Sequence, residues 1–233
     1  MIPLPAPPFR IGSKLKNTEK TLLQIYHRLF EYYGPQHWWP GDSPLEVMVG
    51  AILTQSTAWQ NVEKAIINLK TAGVMSSDAL RDIPTPELAQ LIRPSGYYNA
   101  KARKLQALLC WLSAVCGDNL NGLFTRNTGE LRLQLLGVHG IGPETADSIL
   151  LYAGNKPVFV IDTYTRCIYN RLGLGPKEDT YDAWQMFFMK NLPADVALFN
   201  EYHALLVRHG KEACRKQPTC DSCCMCDICR AHR

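Results

Sequence analysis

The chain has 233 residues, with 25 Lys and Arg against 21 Asp and Glu, a formal net charge of +4 and 46% apolar residues. That supports two small domains or one bilobal one, and five Trp with ten Tyr argue against disorder. The mild positive excess permits nucleic-acid binding without demanding it, and no run of about 18 apolar residues marks a membrane span.

Residues 1–17 read as a loose arm. The opening MIPLPAPPFRIGSK is Pro-rich and lacks the apolar stretch of a signal peptide, so a cytoplasmic location is expected. From Thr21 to Tyr33, Leu22, Ile25, Tyr26, Leu29 and Tyr33 form a helical stripe that Gly34-Pro35 ends. Residues 44–54 are almost wholly apolar and predict a buried helix. A helix over 58–71 turns Val62, Ile66 and Leu69 inward. Thr85-Pro86-Glu87 reads as a helix start with Thr85 as the cap. Residues 99–116 place Leu105, Leu108, Leu109, Leu112 and Val115 on one face, and Gly117 closes them. Further helices fit 128–136, 143–153, 163–172, 180–190 and 194–209. Only Pro157–Ile161 reads as extended. The expected class is all-α, with no internal repeat.

Between two helical patterns lies Gly140-Ile141-Gly142-Pro143-Glu144-Thr145. Glycine admits positive φ and close approach of another backbone, Pro143 suits a first helical position, and free N–H groups at a helix start bind phosphate. Ile141 would plug the turn into the core. A plain helix–helix turn has the same composition. Further on, an apolar segment ends in Asp162: Val158-Phe159-Val160-Ile161-Asp162-Thr163. Read alone, Asp162 caps the helix that follows.

Together these features resemble the helix–hairpin–helix DNA glycosylases, and the resemblance covers about residues 20–230. Leu53-Thr54-Gln55-Ser56-Thr57 is similar to the family's Gln-bearing segment. Gly96-Tyr97-Tyr98-Asn99-Ala100-Lys101-Ala102 matches its Gly-aromatic-Tyr-Asn-x-Lys-Ala signature. His203 to Cys214 resembles the helix leading into the cluster of the endonuclease III branch. The resemblance implies that Asp162 is the catalytic carboxylate, stabilising a cation-like sugar and orienting water. It implies a base flipped out of the duplex, with Gln55 entering the vacated stack; an amide closing a helix is the plainer reading. Gly140, Ile141, Gly142, Glu144 and Thr145 would then grip DNA. Lys101, Arg103 and Lys104 read as a basic patch for phosphates or as a solvated helix face.

The bifunctional members carry a Schiff-base lysine just after the hairpin, where this chain has Glu144. A carboxylate forms no imine, so the expectation is a monofunctional glycosylase leaving an abasic site. The adenine-mismatch branch has a Glu where Gly50 stands, and its large C-terminal domain exceeds this chain's length. Trp38-Trp39-Pro40 and Trp59 resemble the 3-methyladenine offshoot, which implies a base pocket of Trp39, Pro40 and Trp59 with Lys211 nearby. Electron-rich rings attract cationic alkylated purines. The two tryptophans also fit helix-end core positions, and Lys211 fits a surface lysine or phosphate contact.

Nine cysteines are present, six in the last twenty residues, which favours a metal or iron–sulfur site over a disulfide scaffold. Cys214-x5-Cys220-x2-Cys223-x5-Cys229 resembles the family's [4Fe–4S] loop, with a shortened first gap and extra Cys224 and Cys226. Four thiolates of this kind also hold zinc. Cys110, Cys116 and Cys167 read as small core residues.

The expectation is thus two helical lobes with a DNA cleft between them. Residues 40–135 would form a helical barrel. Residues 18–39 with 136–233 would carry the hairpin and cluster. The expected function is base-excision glycosylase on alkylated purines in double-stranded DNA, as a monomer near a prokaryotic nucleoid. The alternatives are a glycosylase/lyase on oxidised pyrimidines and a non-catalytic DNA-binding iron–sulfur protein.

Overall fold

The computed structural model describes residues 17–232. The arm expected over 1–17 lies outside the described residues except for Asn17, which opens the first helix. In chain order the helices are α1 (Asn17–Tyr33), α2 (Pro44–Leu53), α3 (Trp59–Thr71), α4 (Ser77–Asp82), α5 (Thr85–Leu91), α6 (Tyr98–Cys116), α7 (Leu120–Phe124), α8 (Thr128–Leu136), α9 (Pro143–Ser148), α10 (Thr163–Leu172), α11 (Tyr181–Asn191) and α12 (Val196–Glu212). The described residues contain no strand, so the all-α expectation holds. The chain divides into two compact units, Trp39–Lys156 and the described parts of Met1–Trp38 with Pro157–Arg233. The hairpin therefore groups with the helices before it, because α9 packs on α8 and α2.

In the first unit α2 is the axis. Ser43 caps it by accepting from the Glu46 amide at 3.2 Å, Pro44 takes the first position, and every residue from Leu45 to Leu53 is buried. The buried Glu46 carboxylate pairs with Lys70 Nζ at 2.8 Å. Around α2 pack α3, α6, α9 and one π turn, Ile149–Ala153, that continues α9. The short helices α4 and α7 were not anticipated. Thr85 is inside α5 rather than its cap: Pro84 takes that place, and the Thr85 hydroxyl donates to Gln106 Oε1 at 2.7 Å.

The second unit has an aromatic core. Phe159 stacks on Phe188 with centroids 4.2 Å apart, and Tyr26, Tyr169, Phe199 and Tyr202 pack edge-on around them. Tyr169 and Tyr202 join hydroxyls. Val158–Ile161 is buried yet pairs with no strand. Two of its backbone groups are served by side chains instead: Gln185 Nε2 donates to Phe159 O at 2.9 Å, and Ile161 N donates to Tyr181 Oη at 3.3 Å. This buried anchor fixes the residue that follows it, Asp162.

Candidate active site

Asp162 caps α10. Its Oδ1 accepts from the Thr165 amide at 2.7 Å, and its backbone carbonyl accepts from Arg166 N at 3.2 Å. Its Oδ2 faces His203 Nε2 of α12 at 3.8 Å. Both side chains are nearly buried. Burial holds the His203 imidazole below its ordinary pKa and Lys211 adds to this, while Asp162 opposes it. Lys211 itself is exposed in the last turn of α12. The α10–α12 approach is tight at Gly210, where a Cβ would lie 2.3 Å from Tyr164 Cδ1. Any side chain there would push the helices that carry Asp162 and His203 apart.

In the other unit the hairpin is built much as its residues predict. Ile141 is buried. Gly140 has φ +81, and a Cβ would meet Lys104 Cγ at 2.3 Å, so glycine is required twice over. Gly142 has no such need: a Cβ would meet nothing within 4 Å. Glu144 is exposed in the first turn of α9, and Thr145 is buried.

Gln55 is tied to this hairpin. Its Nε2 donates to Gly140 O at 3.1 Å and Thr145 Oγ1 at 3.0 Å, and its Oε1 accepts from Lys104 Nζ at 2.6 Å. The basic patch expected of Lys101, Arg103 and Lys104 is corrected by these contacts, since only Arg103 is exposed. Lys101 is buried, and its Nζ donates to Leu53 O at 2.9 Å, Thr57 Oγ1 at 2.9 Å and Ser95 O at 2.6 Å. An ammonium has three donors, and all three are spent inside the protein. Burial and the Lys104 charge lower its pKa to about 8. The signature lysine is therefore a staple that joins the end of α2, the Gln55 turn and the Gly96 turn. Beside it Tyr97 adopts φ 46 and is 76% exposed. An exposed aromatic in a left-handed backbone is a feature that its place in the signature did not disclose.

Trp39 and Trp59 come together, edge to face, with centroids 5.2 Å apart. Tyr152, which the apolar run LLYA concealed, joins them at 5.1 Å from Trp39. Trp59 Nε1 donates to Glu63 Oε1 at 2.7 Å. Gly50 lies beneath Trp39: a Cβ there would approach the indole to 3.2 Å. Pro40 is exposed next to this group.

Cys214, Cys220, Cys223 and Cys229, with Cys226, line an apolar cavity of about 50 Å³. Cys224 is not among the lining residues; its carbonyl accepts from Arg28. Arg171 Nη1 donates to Cys214 Sγ at 3.2 Å and to the Cys214 and Arg215 carbonyls, both at 2.9 Å. His209 Nε2 lies 3.7 Å from Cys223 Sγ, and its Nδ1 pairs with Tyr33 Oη at 3.0 Å. Among the described residues no three His, Cys, Asp or Glu side chains form a ready site for a single ion. Thiols spread around an apolar cavity fit a multi-atom cluster better than one ion. Cys110 is exposed, and Cys116 and Cys167 are half-buried, so the core reading of these three is corrected.

A helical protein with a Gly-Ile-Gly hairpin, a capped aspartate after a buried segment and a cysteine-lined cavity has the make-up of a helix–hairpin–helix DNA glycosylase. The model of the HhH-GPD superfamily of base excision DNA repair proteins matches residues 49–194, and the chain belongs to that superfamily. It is 42% identical over 215 residues to a candidate DNA repair glycosylase of Methanocaldococcus jannaschii, covering 92% of this chain and 98% of that one. Endonuclease III of Thermotoga maritima is 28% identical, covering 82% and 84%. Helicobacter pylori 3-methyladenine DNA glycosylase, solved with 1,N6-ethenoadenine, superposes with a TM-score of 0.73 at 29% identity, covering 84% and 98%. A non-covalent endonuclease III–DNA complex shares the fold, with a TM-score of 0.79 at 22% identity, covering 93% and 97%. No helix of the described residues is long and apolar enough to cross a membrane.

Proposed function

We propose that the protein is a monofunctional DNA glycosylase that hydrolyses the N-glycosidic bond of alkylated, 3-methyladenine-like bases in double-stranded DNA. The observation that carries this reading is the state of Asp162. One carboxylate oxygen is pinned by the Thr165 amide, which leaves Oδ2 for the reaction. As the base departs, positive charge builds on the sugar, and Oδ2 stabilises that charge and orients the attacking water. No lysine stands just after the hairpin to form an imine. Glu144 stands there, Lys101 is buried and fully bonded, and Lys104 is engaged by Gln55.

Trp39, Pro40 and Trp59, with Tyr152, form the wall on which a cationic purine stacks, an attraction of about 0.5–2 kcal/mol per contact. The likeness to a glycosylase named for 3-methyladenine supports a purine substrate. Lys211 serves as a phosphate or pocket contact. The open space at Gly142 and the start of α9 suit close approach of a DNA phosphate. Gln55 organises the hairpin for that approach, and Tyr97 offers an exposed ring for stacking on a base. Cys214, Cys220, Cys223 and Cys229 hold a [4Fe–4S] cluster whose work is structural: it orders the loop bearing Arg215 and Lys216.

The test is a panel of duplex oligonucleotides, each with one lesion, assayed for base release and for strand breaks with and without alkali. Methylated purines released, with breaks only after alkali, is the expected result. Strong borohydride trapping of a protein–DNA adduct would instead show lyase chemistry and overturn the monofunctional reading.

A further inference from the structure

Two aspartates, the buried Asp147 and the half-buried Asp162, have different settings. Asp147 is fully buried and gripped by Arg132 at 2.7 and 3.1 Å through both oxygens. A permanent cation claims that carboxylate, and its charge has no further use. Asp162 commits one oxygen to a backbone amide and turns the other to an imidazole at 3.8 Å. That separation exceeds a hydrogen bond, so Oδ2 is not tied to the ring. His203 is otherwise unused by the reaction as described, and it is buried on a helix whose partner carries Asp162.

We infer that His203 is a positioning residue for Asp162, bounding Oδ2 so that the carboxylate holds one direction. This rests on Asp162 being the catalytic carboxylate. With Oδ1 pinned, the remaining freedom of the carboxylate is at Oδ2, and His203 Nε2 lies 3.8 Å from that oxygen. A buried imidazole is neutral near pH 7, since burial penalises its cation. An arginine or lysine at the same place would form an ion pair and spend the charge that the sugar cation needs. The gap of 3.8 Å also leaves room for the contact to shorten in the reacting complex, as catalytic contacts in free enzymes do. Gly210 preserves the arrangement, because its missing Cβ lets α10 approach α12.

The experiment compares His203→Ala and His203→Gln in single-turnover base release from methylated duplex DNA, alongside affinity for an uncleavable duplex. His203→Ala should slow release about tenfold, less than the ~10²–10⁴-fold supplied by a proton-transferring group, with affinity unchanged. His203→Gln, neutral and of similar reach, should recover most of the rate. An unchanged rate in His203→Ala, or a glutamine variant as slow as the alanine one, would overturn the inference. A second measurement needs no substrate. The charged groups facing the ring are Asp162, at the start of α10, and Lys211, on α12 itself. Nuclear magnetic resonance titration of His203 should therefore give a lower pKa in Asp162→Asn than in the parent protein, because the carboxylate supports the ring proton. Equal values would mean that the two groups do not communicate. Absence of base release by the parent protein would count against the proposed function, while this titration would still decide the His203–Asp162 contact.

Discussion

The two units solve different problems with polar groups inside an apolar body. In Trp39–Lys156 the polar side chains of Lys101, Gln55 and Asp147 are taken up by their neighbours. Lys101 gives three hydrogen bonds, Gln55 makes three, and Asp147 is held through both oxygens. Around Asp162 in the other unit, the group is fixed by one oxygen and left available by the other. Saturation gives rigidity, and partial saturation gives a group that can act. The same distinction separates the Arg132–Asp147 pair from the His203–Asp162 contact.

The largest effect expected from breaking this contrast is at Asp162. Asp162→Asn keeps a side-chain oxygen for the Thr165 amide, and Asn caps helices as well as Asp does. Thermal stability should barely move, while base release should fall by roughly 10²–10⁴-fold. A large drop in melting temperature would make Asp162 chiefly structural. Next is the cysteine cavity. Cys223→Ala should abolish iron content and visible absorbance, whereas Cys224→Ala should retain both, since Cys224 does not line the cavity. Equal loss in both variants would break the assignment.

Lys101→Met tests saturation directly. It strands the Leu53 carbonyl, while the Thr57 hydroxyl still donates to Ser95 O, and should cost about 1–3 kcal/mol in urea unfolding, with no specific loss of phosphate contacts. The salt dependence of DNA binding should therefore stay the same. A smaller effect belongs to Gln55→Ala, which should speed hydrogen exchange at the hairpin amides by about tenfold, equivalent to ~1.4 kcal/mol of local stability. The smallest is a pH effect. The folded pKa of Lys101, about 8, lies below that of an ordinary lysine. Between those values the unfolded chain binds more protons, so this group's contribution to stability rises with pH. The stability gap between the parent and Lys101→Met should then widen from pH 7 to pH 9.5, and a constant gap would refute the shift.

Much of the site was legible in local pattern. The capping role of Asp162 follows from an aspartate set before a helical run. Ile141 between two glycines reads as a plug, and the cysteine spacing names four of the five cysteines that line the cavity. These are matters of a few neighbouring residues. The misreadings share one cause. Lys101 looked like a surface cation because a sequence shows charge but not the three acceptors that fold around it. Thr85 looked like a cap because Pro84 competes only through backbone geometry. Pro157–Ile161 reads as extended, as it is, but the sequence does not show that Phe159 O and Ile161 N bond to Gln185 and Tyr181, residues about two dozen positions further on.

By itself, then, the sequence determined the helical class, the hairpin turn, the capping place of Asp162 and the clustering of thiols. Each rests on short-range rules of turns, caps and spacing. Tertiary structure alone decided which polar groups are spent and which remain available. It buried Lys101, tied Gln55 to Gly140 and Thr145, brought Tyr152 to Trp39, and set His203 opposite Asp162. Availability depends on what the rest of the chain places within a few ångströms, and spacing along the chain does not encode that distance.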